Sequence, residues 1–268
     1  MTRQQLVSSI RSNGSYLCVG LDTDLSRIPP SLHSAADPIF EFNRRIIDAT
    51  KDHCVAYKIN TAFYEANGAR GWETMERTVN HIPSGRLKIA DAKRGDIGNT
   101  STQYARAFFE TLAFDAITVA PYMGEDSVRP FLEYPDKWTI VLGLTSNSGA
   151  ADFELQPAGQ GLLYERVLTT VAGWGTPENL MYVVGATQAS SFTRIRELTP
   201  EHFYLVPGVG AQGGSLESIS RHAMNADVGL LVNASRAIIY ASGGEDFAEA
   251  AEQVAAGYHR EMKAFLGF

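Results

Sequence analysis

The chain has 268 residues, of which 44% are apolar and 20% are charged, the composition of an ordinary soluble globular protein. Its 23 Lys and Arg against 30 Asp and Glu give a formal charge of −7. An acidic chain without a basic run is a poor nucleic-acid binder, because phosphate contacts need positive charge. No stretch approaches the roughly eighteen apolar residues of a membrane helix, and the N-terminus lacks a signal-peptide core. We therefore expect a cytoplasmic protein with no nucleic-acid or membrane partner.

The cysteines are too few to make a disulfide framework. Cys18 and Cys54 both lie in apolar runs. This pattern indicates buried, reduced thiols in a reducing compartment.

Eight short segments rich in Val, Ile and Leu recur along the chain. They are Tyr16–Leu21, Val55–Ile59, Leu87–Ala90, Ala116–Ala120, Trp138–Leu144, Leu180–Val184, Phe203–Val206 and Val228–Val232. Continuous apolar runs of this length are typical of strands buried on both faces, as in parallel sheets.

Amphipathic helices are predicted between these strands. Apolar residues share one helix face at Ile39, Phe42, Ile46 and Ala49, and again at Leu163, Val167, Val171 and Trp174. Eight strand–helix units of about 33 residues each predict a single (β/α)8 barrel domain over residues 1–268. A doubly wound open sheet is the alternative, although no GxGxxG motif opens a helix after the first strand.

In a barrel, active sites lie at the carboxyl ends of the strands, so the residues there are the candidates for chemistry. Asp91 and Lys93 stand two apart at the end of the third strand, and in an extended chain both point to one face. Asp96 follows in a loop bracketed by glycines, and Lys58 ends the neighbouring strand. Two lysines and two aspartates can pair alternately, which is how buried charges persist. We interpret this set as catalytic; a structural salt-bridge network is the alternative.

The loops after the last two strands predict a phosphate site. Such loops often bind phosphate in barrels, through backbone N–H groups and a helix N-terminus. Gly208, Gly210, Gly213 and Gly214 permit close backbone approach to an anion, and Arg236 can add a bidentate clamp. A flexible turn and a solvated arginine are the alternative.

No metal site is predicted. The six histidines are scattered, with no spacing to Cys, Asp or Glu that suggests ligands, and none follows a predicted strand end. The GxSxG, HExxH, CxxC and Walker A patterns are absent from the sequence.

These residues together resemble the orotidine 5′-monophosphate decarboxylase family. The resemblance runs from Val19-Gly20-Leu21-Asp22 to Asn233-Ala234-Ser235-Arg236, and its most specific part is the DxKxxDIGNT pattern at residues 91–100. Pro207-Gly208-Val209-Gly210 agrees with the family's phosphate end. The resemblance implies a dimer of (β/α)8 barrels that converts orotidine 5′-monophosphate to UMP and CO2 in pyrimidine biosynthesis, with no metal or organic cofactor.

The resemblance also implies roles for individual residues. Lys58, Asp91, Lys93 and Asp96 would form a charged tetrad, in which Lys93 protonates C6. The remaining implied contacts are Asp96 and Thr100 entering the neighbouring subunit's site, Asp22 and Lys58 on the ribose hydroxyls, Ser146 on the pyrimidine amide edge, and Gly210, Gln212 and Arg236 at the phosphate.

The sequence also departs from the commoner bacterial pattern and is similar to a longer, divergent branch. The second strand ends Lys58-Ile59-Asn60, and the strand-seven loop reads Gly-Val-Gly without an arginine. Gln160, in the insert from Asn147 to Gly161, is the alternative to Gln212 at the phosphate. Two other functions stay open: a Mg2+-dependent phosphosugar enzyme on the same scaffold, and a nucleotide-binding barrel without turnover.

Overall fold

Eight parallel strands close into a barrel in the computed structural model, which describes residues 1–186, 191–209 and 214–267. The barrel strands are β1 (Leu17–Gly20), β2 (Ala56–Asn60), β3 (Leu87–Arg94), β4 (Ala116–Val119), β5 (Trp138–Leu144), β8 (Leu180–Val184), β9 (Phe203–Pro207) and β10 (Leu230–Ala234). Two further short strands, β6 (Pro157–Ala158) and β7 (Gly161–Leu162), lie outside the barrel. Around the barrel the order is β1-β10-β9-β8-β5-β4-β3-β2, and β1 pairs with both β2 and β10. This closed ring confirms the predicted barrel and excludes the open sheet.

Helices follow the strands along the chain. They are α1 (Arg3–Asn13), α2 (Pro38–Thr50), α3 (Ala62–Glu65), α4 (Gly68–His81), α5 (Gly98–Arg106), α6 (Glu125–Leu132), α7 (Leu163–Ala172), α8 (Phe192–Leu198), α9 (Leu216–Ala223), α10 (Arg236–Ile239) and α11 (Phe247–Phe265). No helix in the described ranges is long and apolar enough to cross a membrane.

The barrel strands are apolar because both of their faces are covered. Every residue of β1, β8 and β10 is buried, as the continuous apolar runs predict. Cys18 and Cys54 are buried free thiols, which confirms the expectation for them. Burial raises the pKa of Cys54 to about 12, so this thiol stays protonated and unreactive at neutral pH.

Three features differ from those expected: the end of one strand, an additional hairpin and the buried face of one helix. Strand β3 continues through Arg94, so Asp91 and Lys93 belong to the strand instead of the loop after it. The insert after β5 contains the small antiparallel hairpin β6–β7, for which two-residue strands leave no readable pattern. Helix α7 buries Val171 as expected, but its other buried residues are Tyr164 and Leu168, each one position after the expected Leu163 and Val167. Two adjacent sets of apolar residues in this helix have the same spacing, so the sequence does not distinguish them. Packing against the barrel determines which set is buried.

The amino-terminal end of the barrel is closed by α1 and its buried Arg3. The Arg3 guanidinium donates to the Pro177 and Glu201 carbonyl oxygens and to the Asp227 carboxylate, and so ties together the loops that precede β8, β9 and β10. This end therefore contributes stability and leaves the carboxyl end of the barrel open for a site.

His202 lies at this closed end as a buried neutral base. Its ring packs on Tyr182 with 5.3 Å between centroids, and neither ring nitrogen has a hydrogen-bond partner among the described residues. Burial, together with the charges of Arg3 and Arg196, lowers the pKa of His202 to about 4. Between an ordinary pKa of about 6.5 and this value the unfolded chain binds the extra proton, so stability falls as the pH falls through this window.

We expect His202→Phe to remove this acid sensitivity. Between about pH 7 and pH 5 the unfolding free energy of the wild type should fall by on the order of 2 kcal/mol more than that of the variant. The reason is that each unit by which the pKa is lowered is worth about 1.4 kcal/mol. Urea unfolding across this range measures the difference. His222→Phe, at an exposed histidine, is the matched control and should leave the pH dependence unchanged. If the unfolding free energies of wild type and His202→Phe changed in parallel with pH, His202 would not be the source of the acid sensitivity.

Candidate active site

The carboxyl end of the barrel is organised around the buried ammonium of Lys58. Lys58 is 3% exposed and lies in β2, in register with Gly20 of β1 and Ile89 of β3. Its Nζ donates to Asp22 Oδ1 and to Asp91 Oδ2, both at 3.2 Å. A buried cation is thus compensated by one carboxylate from each neighbouring strand.

Asp91 is the hub of the contacts, because three donors reach its carboxylate. Lys58 binds Oδ2, whereas Lys93 Nζ lies 2.5 Å from Oδ1 and the Thr118 hydroxyl donates to Oδ1 at 3.1 Å. The Asp91 side chain is 12% exposed and the Lys93 side chain 49% exposed. Lys93 is therefore the member of the group whose ammonium is accessible from the mouth.

Opposite charges determine the protonation states of this group. Burial alone would lower the pKa of Lys58, but the carboxylates of Asp22 and Asp91 hold it above its ordinary value. Burial alone would raise the pKa of Asp91, but the ammonium groups of Lys58 and Lys93 lower it to about 2. Both groups are fully charged at neutral pH, so the site presents a fixed electrostatic pattern.

The observed alternation is Asp22–Lys58–Asp91–Lys93. The structure brings together Lys58, Asp91 and Lys93 as expected from the sequence, but the second aspartate within the chain is Asp22 and not Asp96. The Asp96 carboxylate accepts from the Ile97 backbone N–H at 2.8 Å and makes no ion pair with any described residue. Each aspartate stands two residues beyond its strand, Asp22 after β1 and Asp96 after β3, so it is the direction of the following chain and not the distance along it that separates them.

The half-buried Asp96 and the exposed Thr100 lie beside exposed apolar side chains. Thr100 is exposed in the first turn of α5. Ile97, next to Asp96, is 59% exposed, and Tyr122 and Met123, in the loop after β4, are 90% and 47% exposed. The Met123 side chain reaches this segment, since a Cβ on Gly95 would lie 3.6 Å from its Cε. Large exposed apolar side chains next to polar candidates are typical of a protein–protein contact.

Arg236 is an available cation at the end of β10. It is exposed, and its guanidinium makes no hydrogen bond or ion pair within the described part of the chain. Gly208, after β9, has a φ of 100°, which favours glycine. The predicted contacts Gly210 and Gln212 lie outside the described residues.

Close packing at the end of β1 and β10 explains one glycine of the sequence pattern. A Cβ on Gly20 would lie 2.7 Å from the Cβ of Ser235, so the position admits no side chain. The buried Asn233 Oδ1 and Ser235 Oγ beside it have no hydrogen-bond partner among the described residues. The sequence analysis did not predict Asn233 and Ser235 as site residues. The signal that could have indicated them is the pair of polar residues at the end of an apolar strand.

Ser146 lies just after β5, beside the end of β8. A Cβ on Gly185 would be 2.7 Å from the Ser146 N and Cβ, so the two backbones approach closely. The insert returns to this point, because the Glu154 carboxylate accepts from the N–H and hydroxyl of Thr145 at 2.7 and 2.8 Å. Gln160 is exposed in the turn of the β6–β7 hairpin.

Candidate metal ligands do not cluster in the described ranges. No group of three or more His, Cys, Asp or Glu side chains there is placed to hold a metal ion. The carboxylates of Asp22 and Asp91 are instead occupied by Lys58 and Lys93.

A barrel with paired, buried charges at the carboxyl ends of its strands defines an enzyme of the (β/α)8 class. The family model described as "Orotidine 5'-phosphate decarboxylase / HUMPS family" matches residues 15–254. The chain therefore belongs to this family.

Curated relatives match along the whole chain. A protein of Christiangramia forsetii named orotidine 5′-phosphate decarboxylase is 55% identical, with 99% of each chain covered. One of the same name from Flavobacterium johnsoniae is 56% identical, covering 99% of this chain and 98% of its own. Among solved structures, the Leishmania donovani OMP decarboxylase has a TM-score of 0.84 at 36% identity, covering 98% of this chain and 99% of that one.

Proposed function

We propose that this protein decarboxylates orotidine 5′-monophosphate at C6 of the pyrimidine, and that Lys93 stabilises and protonates the resulting carbanion. Family membership and full-length relatives make the protein a carboxy-lyase of pyrimidine biosynthesis, an orotidine 5′-phosphate decarboxylase. The observation that carries the mechanism is the half-exposed ammonium of Lys93, held 2.5 Å from the Asp91 carboxylate at the barrel mouth.

The chemistry requires a strong electrostatic environment. Loss of CO2 leaves an electron pair in an sp2 orbital at C6 that the ring delocalises poorly. A preorganised ammonium at that position stabilises the developing charge and then donates its proton to carbon. Asp91 orients the Lys93 ammonium through their ion pair, and Lys58 in turn compensates Asp91.

Repulsion between Asp91 and the substrate carboxylate contributes a smaller part. Two unit charges about 4 Å apart interact by about 4 kcal/mol at an effective dielectric of 20. Enzymes lower barriers by roughly 8–23 kcal/mol, so repulsion alone does not supply the rate. We therefore assign the larger share to Lys93 and the preorganised charges around it.

The substrate is held along the rim of the barrel. In this proposal Asp22 and Lys58 bind the ribose hydroxyls and Ser146 binds the pyrimidine amide edge. Arg236 binds the phosphate together with Gly210 and either Gln212 or Gln160. The Arg236 guanidinium, which has no partner among the described residues, supports this arrangement, because an acidic protein needs local positive charge to attract a phosphorylated anion. The binding energy gained at the phosphate then offsets the cost of orienting and desolvating the substrate at the reacting carbon.

The proposed assembly is a homodimer with shared active sites. Asp96 and Thr100 reach the neighbouring subunit's site in this proposal. The absence of an ion pair for Asp96 within the described chain supports this assignment, as does the exposed apolar surface of Ile97, Tyr122 and Met123.

Purified protein should convert orotidine 5′-monophosphate to UMP, and excess EDTA should leave the rate unchanged. Lys93→Ala should lower kcat by at least roughly a thousandfold while the fold survives, because the acid and the stabilising charge are lost together. Absorbance assays and thermal unfolding measure both. Loss of activity in EDTA would point to a Mg2+-dependent phosphosugar enzyme, and UMP binding without turnover to a non-catalytic barrel.

Arg236→Ala should lower kcat/KM by about a hundredfold or more, because a charge-assisted clamp on the phosphate is removed. The nucleoside orotidine, which keeps the C6 carboxylate and lacks the phosphate, provides the control, since its slow reaction should be the same with wild type and variant. Near-normal kinetics on the phosphorylated substrate would refute the phosphate assignment.

Subunit complementation tests the shared site. Lys93→Ala and Asp96→Ala dimers, each inactive alone, should regain about a quarter of the wild-type activity after subunit exchange, since each mixed dimer holds one intact site. Mixing Lys93→Ala with Asp91→Asn is the matched control and should restore nothing. Equal results from the two mixtures, or a monomer in sedimentation, would contradict the shared site.

A further inference from the structure

The backbone of Lys93 is held in a conformation that lysine rarely adopts. Its φ is 47°, in the left-handed region where a side chain costs roughly 1–2 kcal/mol. Such a conformation persists only where surrounding contacts determine it. Some neighbouring group must therefore fix the main chain at this position.

Strand β3 bulges at this point. Ala90 pairs with Ile117 and Arg94 with Val119, so four steps along β3 match two steps along β4. The intervening residues lie outside the regular pairing of β3 with β4, so the Lys93 N–H needs another acceptor on that side. The acceptor is a side chain, since the Thr118 hydroxyl on β4 lies 2.9 Å from the Lys93 N.

The same hydroxyl also holds the Asp91 carboxylate. A threonine hydroxyl has one hydrogen and two lone pairs, so it accepts from Lys93 N and donates to Asp91 Oδ1 at the same time. Since Lys93 Nζ contacts that same Oδ1, the bonds close a ring through the backbone and the side chain of Lys93. Thr118 is fully buried and interrupts an otherwise apolar strand.

We propose that Thr118 is a positioning residue of the decarboxylase. Its hydroxyl fixes the Lys93 main chain and the Asp91 carboxylate relative to each other, and so sets where the Lys93 ammonium stands in the barrel mouth. Thr118 acts through these two residues, and the inference rests on the roles proposed for them above. A displacement of about 1 Å of a catalytic group costs on the order of a hundredfold in rate, so the hydroxyl governs turnover without binding substrate.

The isosteric variant Thr118→Val removes the hydroxyl and retains the volume. We expect kcat to fall by roughly 10- to 100-fold, while KM and the dissociation constant of UMP stay within about twofold. Thr118→Ser retains the hydroxyl and loses a methyl group, and should recover kcat to within about threefold of the wild type. If the role were packing alone, Val would be tolerated better than Ser.

Thr139→Val is the matched control on the neighbouring strand β5. Thr139 is equally buried, but its hydroxyl has no hydrogen-bond partner among the described residues. The same substitution there should leave kcat unchanged. If Thr118→Val does not fold, Thr118→Ala replaces it, and the comparison with Thr118→Ser again isolates the hydroxyl.

Several outcomes would overturn the inference: a kcat of Thr118→Val near the wild-type value, equal losses in Thr118→Val and Thr118→Ser, or a change confined to KM. Lys93→Ala assayed in parallel separates this failure from failure of the proposed function. An inactive Lys93→Ala with a fully active Thr118→Val refutes only the positioning role. An active Lys93→Ala refutes the proposed mechanism itself.

Discussion

The pairing of the Lys58 ammonium with two carboxylates is the constraint on which the rest of the site depends. A lysine that is 3% exposed retains its charge only because Asp22 and Asp91 accept from it on two sides. This arrangement leaves Asp91 one oxygen for Lys93, whose ammonium then faces the mouth as the accessible charge. The order of charges along Asp22–Lys58–Asp91–Lys93 therefore follows from electrostatic compensation before any substrate is considered.

The barrel supplies the geometry that makes this compensation possible. Parallel strands bring their carboxyl ends to one edge, and the register places Lys58 beside Gly20 and Ile89. The bulge of β3 then departs from ideal strand geometry at Lys93, and the buried Thr118 hydroxyl of β4 accepts the hydrogen bond of the Lys93 N–H there. The positive φ of Lys93 and the presence of Thr118 in an apolar strand are thus explained by the same hydrogen bond.

The two ends of the barrel divide the physical tasks. At the amino-terminal end Arg3 and Arg196 donate to carbonyl oxygens of the loops there, and these contacts hold the loops in place. At the carboxyl end the polar groups contact one another through charges, and Arg236 keeps its guanidinium free of protein partners in the described part of the chain. An anion-binding site needs N–H donors that have no protein partner. The rigid amino-terminal end of the barrel holds the scaffold that positions such donors.

Residue patterns alone predict the strand and helix alternation, the charged residues of the site and, through their resemblance, the family. Continuous apolar runs report double-sided burial, and the residues from Asp91 to Thr100 are specific in type and spacing. Three facts follow only from the folded arrangement: Asp22 completes the alternation within one chain, Asp96 makes no ion pair with any described residue, and Thr118 links Lys93 to Asp91. These facts depend on strand register and on a bulge. Register and bulges arise from contacts between segments distant in the chain, which no local pattern of residues encodes.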